Sequence, residues 1–274
     1  MTVIRDRGDK CPGAMRPWEA DDGMLVRLRL IGGRIPSDSL CALVDAAERY
    51  GDGRVHLTAR ANVQVRAFPG ADGRLDDDAL AALDATGLLP TRTHELVRNV
   101  MVSPQSGLAG GRADLRPVAA ELDRLVCASP ALAGLPGRFL FVLDDGRGDL
   151  VDRTCDLGLV VLDEDTAQLR VGGHWGEVVA LDAAAAVIVD LAHDFVDRRG
   201  AAWHVAELDR PLAPALRPDA RVPSPSERLP HGLVPGGRHV VMPAGIDRPL
   251  LGRLDAPELV VTPWRGVLVP EETR

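Results

Sequence analysis

Hydrophobic and polar residues alternate along two stretches near the start of the chain, residues 24–30 and 55–68. Alternation of this kind predicts half-buried strands. Between them, apolar residues recur at helical spacing behind a Ser/Asp cap, which predicts an amphipathic helix over residues 39–50. Its apolar positions are Leu40, Val44, Ala47 and Tyr50. The pattern therefore predicts a strand–helix–strand unit that is too small to be a domain by itself.

The end of the chain repeats part of this pattern. When the sequence is aligned with itself at one constant offset, Thr58 aligns with Thr262, and several other identical residues align as well. The other aligned pairs are Gly32-Gly33-Arg34 with Gly236-Gly237-Arg238, Val63 with Val267, and Val65 with Val269. In the second copy, residues 247–254 leave room for only a short helix. Internal repetition of this kind predicts a duplicated unit.

The region between the two copies has the pattern of an α/β domain. Helical patterns cover residues 75–83, 117–126 and 182–196, and strand patterns cover residues 138–143, 157–162 and 168–171. Seven prolines then fall within residues 211–235, which excludes a helix or a central strand there. We expect a central domain over residues 75–205 and a linker over residues 211–235.

Composition narrows the classes of protein that fit. The chain has 274 residues, enough for a sizeable core. A net charge of −8 and an aromatic content of 3% argue against a nucleic-acid partner. The start of the chain is charged where a secretion signal would be apolar, and no apolar run is long enough to span a membrane. We therefore expect a cytoplasmic protein with no membrane partner.

The cysteines are far apart in the sequence. No two have the close spacing that is typical of zinc or iron–sulfur sites. They are Cys11, Cys41, Cys127 and Cys155. The spacing favours half-buried thiols without a metal ion.

The most polar stretch lies in the second predicted strand. A continuous strand would place six polar side chains on one face. These are His56, Thr58, Arg60, Asn62, Gln64 and Arg66. Such a face could hold a ligand rich in anionic groups through charge-assisted hydrogen bonds. The alternative is the solvated outer face that antiparallel sheets commonly have.

Two further motifs are candidates for binding. Arg98-Asn99-Val100 precedes a glycine-rich loop over residues 103–112, whose backbone amides and arginines could hold an anion. Ordinary loops have the same composition. Thr262-Pro263-Trp264-Arg265 could form the wall of a pocket, or Trp264 could fill the core, which the residues alone favour.

Together, five motifs resemble those of the sirohaem-dependent nitrite and sulfite reductase superfamily and are most similar to its precorrin-3B synthase branch. In chain order they are Cys11-Pro12-Gly13, Thr58-x-Arg60-x-Asn62-x-Gln64, Arg98-Asn99-Val100 with the following Ser-Pro, Leu135-Pro136-Gly137-Arg138-Phe139 and Thr262-Pro263-Trp264-Arg265. The resemblance implies an α+β fold, in which duplicated ferredoxin-like half-repeats pack together beside a central α/β haem-binding-type domain. It places the half-repeats at residues 11–70 and 232–270.

The resemblance also implies a chemistry and a site. Members of this branch are oxidoreductases of cobalamin and tetrapyrrole biosynthesis, and the complete enzyme hydroxylates precorrin-3A in an oxygen-dependent reaction. The implied ligand is sirohaem or a related carboxylate-rich tetrapyrrole, bound through an arginine-lined face. The residues at the matching positions are Thr58, Arg60, Asn62, Gln64, Arg98, Asn99 and Arg138.

Two departures from the family pattern leave the activity open. Leu140 stands where the reductases have a second basic residue, which puts nitrite or sulfite reduction in doubt. The C-x5-C and C-x3-C pairs that hold the family's [4Fe–4S] cluster are not in this sequence. The chain could work with a separately encoded iron–sulfur domain or electron donor, it could bind a tetrapyrrole without redox chemistry, or it could be a degenerate product.

Overall fold

The computed structural model describes residues 9–271, which form two compact units. The split unit consists of residues 10–96 and the described residues from 229 onward, and the central unit consists of residues 97–228 with Asp9. The strands are β1 (Trp18–Ala20), β2 (Gly23–Leu28), β3 (Arg34–Pro36), β4 (His56–Leu57), β5 (Val63–Phe68), β6 (Gly70–Ala71), β7 (Arg74–Leu75), β8 (Val100–Val102), β9 (Phe141–Asp144), β10 (Leu157–Val161), β11 (Thr166–Val171), β12 (His174–Ala180), β13 (Gly232–Val234), β14 (Gly237–Val241), β15 (Glu258–Val261) and β16 (Gly266–Pro270). The α-helices are α1 (Ser37–Tyr50), α2 (Asp77–Asp84), α3 (Arg116–Ala128), α4 (Ala184–Arg198) and α5 (Arg248–Leu251).

The two repeats share a sheet in the split unit. Its larger sheets are antiparallel, with the orders β1-β2-β5-β4 and β13-β14-β16-β15-β3. β3 comes from the first repeat but pairs with β15 of the second, so that Ile35 lies opposite Leu259. The repeats are therefore joined by backbone hydrogen bonds as well as by side chains.

One hydrophobic core serves both repeats. Leu40 and Val44 on the apolar face of α1 are fully buried with Val65 of the first repeat and Val267 of the second. Complete burial of one such side chain contributes ~1.5–3 kcal/mol. The helix is thus stabilised by packing against strands from both ends of the chain. Leu83 of α2 lies in the same core, so the central unit begins at Val97 rather than near residue 75.

The two repeats have the same hairpin turn. The N–H of Thr58 donates to the carbonyl of Asn62, and the N–H of Thr262 donates to the carbonyl of Gly266, both at 2.9 Å. In each turn the fourth residue, Ala61 or Arg265, donates back to the threonine carbonyl. Both fourth residues also have positive φ, 55° and 57°. The alignment of Thr58 with Thr262 therefore corresponds to a structural equivalence.

The alignment of the two Gly-Gly pairs is wrong. β14 pairs with β16 as β2 pairs with β5, so β14 is the counterpart of β2. Gly237 opens β14, whereas Gly33 follows β2 in a short 3-10 turn. Gly33 and Gly237 nevertheless lie equally far before Thr58 and Thr262. The reason is that the first repeat has the 14-residue helix α1 after its glycines, whereas the second has a strand and then the 4-residue helix α5.

The continuous strand predicted over residues 55–68 is also wrong, because β4 and β5 are antiparallel strands joined by the turn at residues 58–62. The Thr58 hydroxyl accepts hydrogen bonds from the N–H groups of Arg60 at 3.3 Å and Asn62 at 3.1 Å. The Asn62 side chain is only 1% exposed, and its Oδ1 accepts from the N–H of Leu30 at 2.9 Å. Asn62 therefore does not share a face with Arg60.

The central unit is built on one five-stranded sheet of order β12-β11-β10-β9-β8. β8, β9 and β10 are parallel, and β11 and β12 are added antiparallel. α3 and α4 pack together, and the Phe195 ring of α4 lies 4.9 Å from that of Phe139. β9 begins at Phe141, later than predicted, because the N–H of Phe139 closes a turn with the carbonyl of Pro136.

The proline-rich segment is attached to the edge of this sheet. The Gln168 side chain donates to the carbonyl of Arg217 at 3.0 Å and accepts from the N–H of Asp219 at 2.8 Å. Leu216 forms an isolated bridge with Trp175 of β12. The segment thus has specific hydrogen bonds although it has no helix. None of the helices between residues 9 and 271 combines the length and apolar character needed to cross a bilayer.

Candidate functional site

A polar cleft of about 530 Å³ lies in the split unit. Both hairpin turns contribute to its wall, together with β2, β4 and β5. Its lining residues are Arg27, His56, Leu57, Thr58, Ala59, Arg60, Gln64, Arg66, Pro243, Gly245 and Arg265. Four of these residues are arginines, and none is an aspartate or glutamate. The cleft therefore presents positive charge and hydrogen-bond donors to an acceptor-rich ligand.

Strand geometry explains why these side chains share the cleft. Gln64 and Arg66 alternate along β5 with Val63 and Val65, which are completely buried. Arg27 lies opposite Gln64 on the neighbouring strand, and its Nη2 donates to Gln64 Oε1 at 3.4 Å. One face of the sheet therefore carries the core and the other carries the polar residues.

Two cleft residues also bind carboxylates outside the lining. Arg66 donates to Asp22 at 3.1 and 3.2 Å, which lowers the pKa of Asp22 and raises that of Arg66. His56 Nε2 lies 2.7 Å from Asp52 Oδ2. These contacts orient the two side chains from the rim, where exposed ion pairs add little stability.

Arg29 lies buried close to the cleft arginines and is only 3% exposed. Its Nη1 donates to the carbonyls of Pro12 at 3.1 Å and Arg27 at 3.3 Å. Burial lowers the pKa of Arg29 to about 10, and the nearby charges of Arg27 and Arg60 act in the same direction. The opposing charge of Glu95 raises it. Arg29 therefore adds to the positive potential in this part of the split unit.

Glu95 holds the loop that contains the Cys11-Pro12-Gly13 motif. Its carboxylate accepts hydrogen bonds from the N–H groups of Ala14 at 2.6 Å and Met15 at 2.8 Å, while burial raises its pKa. A Cβ at Gly13 would lie 2.4 Å from Glu95 Oε1, so only glycine fits without displacing this side chain. The motif therefore has a clear structural role.

The predicted site residues are only partly brought together. Thr58, Arg60 and Gln64 line the cleft, whereas Asn62 is an internal support of the turn. His56 and Arg66 were predicted as part of the polar face, whereas Arg27 was missed. Arg265 was predicted only within a motif for which a core position was favoured over a pocket wall. The signal for Arg27 was a single arginine between Val26 and Leu28 in an otherwise apolar strand.

The other predicted residues lie in the central unit. Arg98 is 8% exposed and donates to both carboxylate oxygens of Asp123, at 2.7 and 2.8 Å. Asn99 Nδ2 donates to the carbonyl of Gly137 at 2.9 Å. The guanidinium of Arg138 is half-exposed and lies 5.2 Å from the Trp203 ring. Arg98 and Asn99 thus hold their own unit together, while Arg138 remains accessible.

The Trp264 side chain does not fill the core. It is half-buried with its ring edge-on to His239, at a centroid distance of 6.3 Å. Its neighbour Arg265 is exposed and lines the cleft. The motif therefore contributes to a pocket wall through the arginine, contrary to the reading that the residues favoured.

The cysteines lie on separate elements. Cys11 is buried, and Cys41, Cys127 and Cys155 are half-buried. Burial raises the pKa of Cys155 to about 11. In the part of the chain that the structure describes, no three His, Cys, Asp or Glu side chains are grouped as metal ligands.

Comparison with known proteins identifies related sequences. Residues 19–83 match the family described as nitrite/sulfite reductase ferredoxin-like half domain. A precorrin-3B synthase from Sinorhizobium sp is 31% identical over 150 residues, which are 53% of this chain and 30% of that protein. A ferredoxin–nitrite reductase from Synechococcus elongatus is 32% identical over 137 residues, which are 46% of this chain and 26% of that protein. The chain thus spans less than a third of either relative.

A solved structure has the same fold. The NirA protein of Mycobacterium tuberculosis matches with a TM-score of 0.64 and 19% identity, over 93% of this chain and 57% of that one. Together with the half-domain match, this similarity confirms the predicted α+β fold with ferredoxin-like half-repeats.

Proposed function

We propose that the chain binds a carboxylate-rich tetrapyrrole in the arginine-lined cleft. The match of residues 19–83 to the nitrite/sulfite reductase half domain and the similarity to precorrin-3B synthase and nitrite reductase support this proposal. The oxidoreductase resemblance is to precorrin-3B synthase and nitrite reductase. The proposed role is in cobalamin or tetrapyrrole biosynthesis, in the cytoplasm.

The observation that carries this proposal is the grouping of four arginines in one cleft without a lining carboxylate. Guanidinium groups stay charged at any working pH and bind carboxylates through paired hydrogen bonds. A tetrapyrrole carries several carboxylates around a flat ring, so it requires several cations at fixed positions. The solvated-face alternative would not require like charges to gather in a concave surface.

Leu140 favours the precorrin-3B synthase branch over reduction of nitrite or sulfite. It stands where the reductases have a second basic residue, and here it is buried against Met101, Val142 and Leu150. An apolar cluster cannot bind a small oxyanion. The position therefore has a packing role in this chain.

The residues of the cleft fit a sirohaem-type group through its carboxylates. Arg27 and Arg60 would hold them, and the bound group would supply the redox chemistry of its iron. The chain's own contribution is to bind and orient the ring. The cysteines of residues 9–271 do not fit a [4Fe–4S] cluster, because no three of the possible metal ligands are grouped.

The same observation fits two alternatives, which would use the same cleft. One is a tetrapyrrole-binding module without redox chemistry, and the other is one subunit of an enzyme completed by a separate iron–sulfur protein. Visible spectroscopy after reconstitution with sirohaem distinguishes them. Dithionite should reduce the bound haem in both cases, whereas reduction by an added, reduced iron–sulfur donor protein is expected only of the redox subunit.

Binding is tested with uroporphyrin III, followed by its fluorescence at equilibrium. We expect saturable binding by the wild type and by Arg74→Gln, an exposed residue of β7 outside the cleft. The double variant Arg27→Gln/Arg60→Gln should bind at least tenfold more weakly. Equal affinity of all three proteins, or no binding by the wild type, would contradict the proposal.

A further inference from the structure

Arg265 occupies an unusual backbone position. Its φ is 57°, in the left-handed region that side chains other than glycine rarely adopt. A non-glycine residue there costs about 1–2 kcal/mol. Strain of this size at an exposed side chain calls for an explanation, and such strain concentrates at functional sites.

The hairpin imposes this conformation. Thr262 Oγ1 accepts from the N–H of Gly266 at 3.2 Å, and the N–H of Arg265 donates to the carbonyl of Thr262 at 3.2 Å. The first repeat has the same geometry with Ala61 at this place, and Ala61 is buried. Packing therefore accounts for the side chain in the first repeat, but it does not account for the exposed arginine in the second.

The side chain of Arg265 lines the cleft that also contains Arg60. Within residues 9–271, no acceptor is hydrogen-bonded to the Arg265 guanidinium. Arg60 comes from the turn of the first repeat and Arg265 from the equivalent turn of the second. The duplication thus supplies the cleft with a guanidinium from the hairpin turn of each repeat.

We propose that Arg265 binds a carboxylate of the ligand, so that the two repeats hold one ligand between their equivalent turns. The ligand class is an acid with carboxylates far enough apart to reach both turns at once. This inference rests on the proposed function and adds to it a binding residue and a requirement on the ligand.

The test compares Arg265→Gly and Arg265→Gln with Arg253→Gln, an exposed arginine of the second repeat outside the cleft. Glycine relieves the backbone strain, so Arg265→Gly should unfold at the same temperature as the wild type or at a higher one. It should nevertheless bind uroporphyrin III about tenfold or more weakly, as expected for the loss of one charge-assisted contact. Arg253→Gln should bind like the wild type.

The outcomes separate this inference from the proposed function. If the wild type binds uroporphyrin III and both Arg265 variants bind it equally well, the inference is overturned while the proposed function stands. If the wild type does not bind, the proposed function fails. Should glycine lower the unfolding temperature, Arg265→Asn also tolerates the left-handed backbone, and wild-type affinity in that variant would equally overturn the inference.

Discussion

Thr58 and Thr262 perform the same task in the two repeats. The hydroxyl of each accepts a hydrogen bond from the backbone N–H four residues later, at 3.1 and 3.2 Å. This contact fixes the turns from which Arg60 and Arg265 reach the cleft. The polar face of the split unit therefore depends on two small polar side chains as well as on its arginines.

The two threonines should differ in their contribution to stability. Thr262 is completely buried, and its hydroxyl also contacts His239 Nε2 at 3.0 Å, whereas Thr58 is half-buried. We expect Thr262→Val to lower the free energy of unfolding by about 2 kcal/mol, because buried partners lose their hydrogen bonds. Thr58→Val should cost less, since water can replace its hydroxyl. Equal losses in urea denaturation would contradict this assignment.

Arg98 should matter for the stability of the central unit. Its two hydrogen bonds to Asp123 are largely removed from solvent, and breaking such a pair leaves a buried charge. We expect Arg98→Ala to cost about 3 kcal/mol in the free energy of unfolding. The double variant Arg98→Ala/Asp123→Ala should cost less than the sum of the single variants. Strict additivity would show that the pair is not coupled.

Asp149 should make stability depend on pH. It is half-buried next to Ser103, whose hydroxyl donates to Asp149 Oδ1 at 2.6 Å, and its partial removal from solvent raises its pKa from 3.8 to about 7. The folded chain therefore keeps a proton that the unfolded chain releases above pH 3.8. This contribution is greatest at low pH and is lost as the pH rises towards about 7.

The variant Asp149→Asn isolates that contribution. The quantity to measure is the free energy of unfolding of the wild type minus that of the variant. We expect this difference to fall by on the order of 1 kcal/mol or more as the pH rises from 5 to 8. Asp152→Asn, at an exposed neighbouring position, serves as the control. A difference that is independent of pH would show that Asp149 titrates normally.

Sequence patterns located most helices and strands because periodicity reflects burial. They failed at residues 58–62, where polar and apolar residues continue to alternate through a turn that has neither glycine nor proline at its bend. The positive φ of Ala61 is set by the threonine hydroxyl and cannot be read from the sequence. The strand prediction therefore overran the hairpin.

The residues of the candidate site could also be predicted only where they are close together in the sequence. Arg60 and Gln64 could be predicted because they lie close together in one polar stretch. Arg265 could not, because its place in the cleft depends on how the second repeat pairs with the first. Arg98 was predicted as an anion-binding residue, but Asp123, which is distant in the sequence and lies on α3, takes up its hydrogen bonds.

Hydrogen–deuterium exchange with and without uroporphyrin III is a direct test of ligand binding between the two turns, because it locates the ligand and does not rely on substitutions. We expect the ligand to slow exchange in the turns at residues 58–62 and 262–266 together. Binding that leaves both turns unprotected, with protection confined to other parts of the chain, would contradict this expectation.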